Sequence, residues 1–321
     1  MKTKILLLIG LAFLSNLATA DGRKSIRLGV LGSGTLAWEL AAMQSEGLLN
    51  DAEFTLDSVA IANQQAGKVA LQAGSVDIIV SDWIWVSGMR AQGSDYTFYP
   101  YSANAGGLMV PADSAIKSLA DLKGKKLGIA GGELDKNWEL LKALGQKQQL
   151  DLNDAVEKVY GAPPLLNQQL ESQRIDAVLT YWHFAARLEA QGYKLLMSGE
   201  DIVRQLGIQE TVPSLGYVFK QSWADQNKVV LTRFLSAARA AKDKLCDSDQ
   251  AWEKVAPLTN ENNPATLRQL RSRYCEGRVT QWGNAEQKAA EKIYQVLALS
   301  SDTKLIGKST PFQAGTFWSG N

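Results

Sequence analysis

Short runs of Ile, Val and Leu alternate with amphipathic stretches from Ser25 to Met197. The apolar runs predict strands at Ser25–Leu31, Glu53–Ala60, Asp77–Val80, Lys126–Ala130, Val156–Tyr160, Asp176–Thr180 and Tyr193–Met197. Helical periodicity between them predicts helices at Thr35–Glu46, Asn63–Ala73, Lys136–Gln149, Pro163–Ser172 and Trp182–Gln191. Alternating strands and helices define an α/β fold. Strands that are apolar on both faces point to doubly wound, mostly parallel sheets covered on each side by helices. Beyond Ser222 the pattern is helical, over Ser222–Lys244 and then near Asp249–Ala256, Pro264–Arg273 and Ala285–Leu299.

The pattern also repeats. Leu28-Gly29-Val30-Leu31-Gly32 returns as Leu127-Gly128-Ile129-Ala130-Gly131, and Val76-Asp77-Ile78-Ile79-Val80-Ser81-Asp82-Trp83 as Ile175-Asp176-Ala177-Val178-Leu179-Thr180-Tyr181-Trp182, both displaced by 99 residues. Trp38-Glu39-Leu40 returns as Trp138-Glu139-Leu140. Two units of one design imply two similar lobes with a ligand site between them. Any pair of parallel βα units shares some of this likeness. The flexible run Ser102-Ala103-Asn104-Ala105-Gly106-Gly107 reads as the first crossing between lobes, and Glu210-Thr211-Val212-Pro213-Ser214 as the return. Lobe one would hold residues 21–104 and 214–321, its C-terminal helices packing back onto it, and lobe two residues 105–213.

At the N-terminus, Lys2 and Lys4 precede an apolar run from Ile5 to Leu14, and Ala18-Thr19-Ala20 supplies small residues for cleavage. These are the marks of a signal peptide over residues 1–20, and the run is too short to span a bilayer. The expectation is export to the periplasm. Without that leader 32 basic groups face 33 acidic ones, a balance that gives no electrostatic footprint for nucleic acid. About 300 residues exceed one ordinary core. Cys246 and Cys275 are the only cysteines, and in an oxidising compartment they are expected to pair.

Gly32-Ser33-Gly34-Thr35-Leu36-Ala37 follows a strand and opens a helix, so it has the form of a dinucleotide fingerprint. The acid that would hold a ribose is missing from the end of the next strand, because Asp57 falls inside it. The same N–H groups, with the Ser33 and Thr35 hydroxyls, could cradle a smaller anion, or could form only a tight turn and cap. The counterpart is Gly131-Gly132-Glu133-Leu134-Asp135-Lys136. Gly132 and Glu133 would lie at a close backbone approach, and Lys136 in a first helical turn opposes the helix dipole unless it is solvated or meets an anionic guest.

Trp83 and Trp182 each follow a strand end, where open α/β sheets bind ligands. With Tyr101 and Tyr181 they could stack on both faces of a planar guest, or could plug strand–helix junctions. Asp82 could accept from a ligand donor or pair with an arginine of the other lobe. The single histidine, His183, precludes a His-rich metal site, and there is no Gly-x-Ser-x-Gly elbow for it to serve. An enzyme is not expected.

Together these features resemble the solute-binding proteins of ABC importers, in the group that binds sulfonates, nitrate and thiamine precursors. Gln72-Ala73-Gly74-Ser75-Val76-Asp77, Ser118-Leu119-Ala120-Asp121-Leu122-Lys123-Gly124-Lys125-Lys126 and Gln173-Arg174-Ile175-Asp176-Ala177 carry the likeness. It implies a type II two-lobed fold, a small anionic ligand, an inner-membrane permease and ATPase as partners, a monomer, and no required cofactor. Ser81-Asp82-Trp83-Ile84-Trp85, Leu134-Asp135-Lys136 and Thr180-Tyr181-Trp182-His183 look like a branch proposed to bind pyrroloquinoline quinone, which would here be the transported ligand. One lysine is thin compensation for three carboxylates, so Arg273 or Arg90 would have to help. The alternatives are a sulfonate- or nitrate-type ligand, or a sensory ligand-binding module.

Overall fold

The computed structural model describes residues 24–32, 34–50, 54–300, 306 and 311–320; the expected leader and Ser33 lie outside them. The chain opens with β1 (Lys24–Leu31), α1 (Leu36–Ser45), β2 (Phe54–Ile61), α2 (Gln64–Gln72), β3 (Ile79–Ser81), α3 (Trp83–Ala91) and β4 (Tyr96–Ser102). It then crosses to a second unit: β5 (Gly107–Val110), β6 (Lys126–Ala130), α4 (Lys136–Lys147), α5 (Leu152–Ala155), β7 (Glu157–Gly161), α6 (Pro163–Glu171), β8 (Ala177–Thr180), α7 (Trp182–Ala190), β9 (Lys194–Ser198) and α8 (Gly199–Gln205). The return strand β10 (Leu215–Lys220) leads into α9 (Gln221–Gln226), α10 (Lys228–Asp247), α11 (Asp249–Val255), α12 (Pro264–Glu276) and α13 (Asn284–Ser300).

The two units share one topology. The second sheet runs β7-β6-β8-β5-β9. In the first, β1 pairs β2, β3-β10-β4 form a second group, and a parallel bridge from Leu28 to Ile78 joins the two groups. The order is therefore β2-β1-β3-β10-β4, strand for strand the counterpart of the second sheet. The repeat extends to register: Leu28 faces Ile78 and Leu127 faces Ala177, and 127 less 28 and 177 less 78 both give 99.

Each sheet holds four strands in one direction and one reversed strand, β10 in the first and β5 in the second. The reversed strand is the one that arrives from the other unit, so two-way traffic between the lobes explains the departure from an all-parallel sheet. Burial follows the sequence: every residue of β5 and β8 is buried, as continuous apolar strands require.

The C-terminal helices do not all return to the first unit. α10 and α11 pack on α1 as expected, but α12 packs on α7 and α13 on α4, both in the second unit. The apolar face of α13, with Ile293, Tyr294 and Leu297, shares one core with Leu127, Ile129 and Trp138. The helix expected over Ser222–Lys244 breaks at Asn227, whose amide donates to Trp223 O at 2.9 Å. Cys246 and Cys275 are bridged, tying α10 to α12 with 5.6 Å between their α-carbons.

Candidate functional site

Strand direction brings the carboxyl ends of β1, β3, β6 and β8 towards a shared cavity of about 740 Å³. A helix begins within six residues of each strand end, so helix N-termini with their caps form much of the cavity wall. Asn63 caps α2 by accepting from Ala66 N at 2.9 Å, and Asp82 caps α3 by accepting from Trp85 N at 2.8 Å. Asp135 caps α4 by accepting from Asn137 N at 2.9 Å and Trp138 N at 3.2 Å. Such termini favour anions through their free N–H groups and aligned peptide dipoles.

Of the residues singled out in the sequence, Thr35, Asp82, Trp83, Tyr101, Lys136, Tyr181, Trp182 and His183 line this cavity. Gly132, Glu133, Thr180 and Arg273 do not. It is Gly131 that makes the close approach: a Cβ there would lie 2.6 Å from the Tyr181 hydroxyl and 2.8 Å from Asp135 Oδ2, whereas nothing stands within 4 Å of one at Gly132. Glu133 is exposed and Thr180 is buried in its strand. Arg273 is engaged by Glu189 of α7 and by Glu276, at 2.6 Å, while Arg90 donates to the carbonyls of Ala314 and Tyr96 at 2.7 and 2.8 Å.

The two indoles do not form a stacking pair. Trp83 is 3% exposed, donates its N–H to Pro213 O at 3.0 Å, and packs edge-on against Phe312 and Phe317. Trp182 belongs to a different aromatic group, edge-on to Trp38 with ring centroids 6.3 Å apart and tilted against Tyr274. Both touch the cavity, but each is anchored in a separate apolar cluster. Tyr101 is likewise fixed: its hydroxyl meets Thr35 Oγ1 at 3.1 Å, and the Lys242 ammonium, paired with buried Glu39, sits 3.6 Å from its ring centroid.

The charged groups give the cavity its character. Lys68, on α2, lies 3.7 Å from Asp82 Oδ2 and 5.1 Å from the Trp85 ring centroid. Burial works against the ionised form of Asp82, but Lys136, Lys68 and the Trp85 N–H together hold its pKa below the ordinary carboxylate value. Lys136 therefore acts across the cleft on the first unit's carboxylate. Asp135 is pushed up to about 6 by burial, against the pull of its two backbone donors and Lys136. His183 is pushed down to about 4 by burial and by Arg187, so it is neutral near pH 7, and its Nδ1 has no hydrogen-bond partner among the described residues. Among the described residues no group of three or more His, Cys, Asp and Glu could hold a metal.

Lys68 and the cavity role of Asp135 went unread in the sequence. A signal existed for Lys68: it falls four residues after Gln64, on the same face of a helix whose start points at the cleft.

Two α/β units of matched topology, crossed by two strands and enclosing a charged cavity at their strand ends, define the two-lobed fold of the periplasmic binding proteins. The chain belongs to the NMT1/THI5-like family, whose model matches residues 40–251. Its fold is that of the aliphatic sulphonate binding protein SsuA from Escherichia coli, with a TM-score of 0.73 at 19% identity over 92% of each chain. The alkanesulfonate-binding SsuA from Xanthomonas axonopodis pv. citri, bound to MOPS, gives 0.67 at 19% identity over 92% of this chain and 98% of that one. The desulfurization enzyme DSZB shares the fold more distantly, at 0.57 and 17% identity over 87% of this chain and 93% of that one. No curated protein matches the sequence. Among the described residues no helix is long and apolar enough to cross a membrane.

Proposed function

We propose that this protein is the periplasmic solute-binding component of an ABC importer, which captures a small organic anion between its lobes and delivers it to a permease driven by an ATPase. The observation that carries this reading is the pair of lysines, Lys68 from the first unit and Lys136 from the second, facing one cavity lined by helix N-termini. An anion held by both would favour the closed arrangement of the lobes. The family and the sulfonate-binding structures of the same fold support it.

A sulfonate or carboxylate with one anionic head suits the site better than pyrroloquinoline quinone. Two lysines share the wall with four carboxylates, Asp82, Asp135, Glu200 and Glu210, leaving no surplus of positive charge for three negative ones, and Arg273 and Arg90 are committed elsewhere. The size and the aromatic lining favour a guest with an apolar body over a bare nitrate. Binding rather than turnover fits the chemistry at hand: the two cysteines are bridged to each other, and His183 is held neutral near pH 7 by burial and Arg187, its Nδ1 without a hydrogen-bond partner among the described residues.

Native mass spectrometry of protein purified from its own host tests the reading. The expected result is a single adduct whose mass and fragmentation identify an organic sulfonate or carboxylate. A neutral sugar in the cleft would contradict it.

A further inference from the structure

Trp38-Glu39-Leu40 and its repeat Trp138-Glu139-Leu140 take no part in the function proposed above, yet both glutamates are buried. In the second unit one partner of the carboxylate is Lys142, on the same helix at 3.1 Å. Glu39, fully buried, instead gathers donors from three other elements: Lys242 of α10, the Tyr274 hydroxyl of α12 at 2.9 Å and the Tyr217 hydroxyl of β10 at 3.4 Å. Lys242 then carries the pair to a fourth. Its ammonium lies 3.6 Å from the ring centroid of Tyr101 on β4, and Tyr217 packs edge-on to that ring with centroids 5.2 Å apart.

Tyr101 lines the cavity, and its hydroxyl meets Thr35 Oγ1 at 3.1 Å. Unlike Asn63, Asp82 and Asp135, Thr35 makes no side-chain bond to its own helix, so its hydroxyl is left for Tyr101. Burial and the Glu39 charge raise the Tyr101 pKa well above its ordinary value, so the phenol keeps its proton and remains a donor. The Tyr101–Thr35 pair needs one of its two hydrogens for its own bond and has the other to give to a guest oxygen. Stability alone does not account for the charges behind them, because apolar residues of similar volume serve a buried ion pair's place as well or better. We infer that Glu39 and Lys242 are positioning residues of the binding site: they set the Tyr101 ring so that its hydroxyl, with that of Thr35, donates to an anionic guest. The inference rests on the anion-binding reading above and adds to it two residues that do not themselves line the cavity.

The probe is para-ethylbenzenesulfonate, titrated calorimetrically into the full mature chain. Tyr101→Phe deletes one hydroxyl and keeps the ring, and should weaken binding by about tenfold, the scale of one hydrogen bond to a charged group. Replacing Lys242 or Glu39 alone would strand a buried charge, so the two are exchanged together. Glu39→Gln with Lys242→Met should melt at the wild-type temperature or above it. The paired exchange should still bind the probe about threefold more weakly or worse, and should cause no further loss in a chain that already carries Tyr101→Phe. A paired exchange that melts well below the wild type, or that weakens the Tyr101→Phe chain as well, assigns the two charges to stability and overturns the inference. Wild-type affinity in the paired exchange or in Tyr101→Phe overturns it too, and spares the anion-binding reading. A wild-type chain that does not bind the probe at millimolar concentration removes that reading itself, and this inference with it.

Discussion

Asp135 caps a helix and faces a cavity at once, and the two demands conflict. Burial pushes its pKa up to about 6 from an ordinary 3.8, so the folded chain loses stability as pH rises through that window and the carboxyl ionises. His183 acts in the opposite sense. Held down at about 4 from an ordinary 6.5, it costs stability as pH falls, because the unfolded chain takes up its proton first. Asp135→Asn isolates the first effect: the variant should melt above the wild type near neutral pH, and the gain should vanish near pH 4, where both carry a neutral side chain. A gain of equal size at both pH values would mean the carboxyl is not strained. At this scale the sequence was legible where a residue's place follows from its element, as with Asp82 and Tyr181 just past strand ends and Lys136 in the first turn of a helix. It was not legible for Trp83 or Arg273. Nothing local reveals that the indole N–H is taken by Pro213, or that the guanidinium meets Glu189, because both partners are distant in the chain.

Among the elements, the strands that repeat at a 99-residue spacing could be read because buried parallel strands are short, continuous and apolar. β4 escaped that reading. Pro100 lies inside it, and proline is tolerated only because β4 stands outermost beside β10. The C-terminal helices show a different limit: amphipathic periodicity says that a face is covered, not what covers it. α12 is bridged to α10 by the disulfide, yet holds α7 through Arg273 and Gln269, both of which reach Glu189. Replacing Cys246 and Cys275 by serine should lower the unfolding free energy by about 3–4 kcal/mol in the chain-entropy treatment, read from urea melts. Hydrogen exchange in α7 should quicken together with that in α12. Quickening confined to α10 and α12 would show that the bridge does not reach the second unit.

The whole molecule is a duplicated design whose two halves meet at a charged seam, with Lys68 and Asp82 on one side and Lys136 and Asp135 on the other. Fold class and the two-unit plan follow from chain-wide pattern, which is why they were readable. The seam does not, because it exists only once both sheets have turned their strand ends inward. Cooperation between the lobes is the central claim, and calorimetric titration of Lys68→Met, Lys136→Met and the double variant with para-ethylbenzenesulfonate as the anionic probe tests it most directly. Each single change should weaken binding by about tenfold or more, ~1.4 kcal/mol, and the double change should abolish measurable heat. Wild-type affinity in both single variants would contradict the account, since neither lysine would then hold the guest.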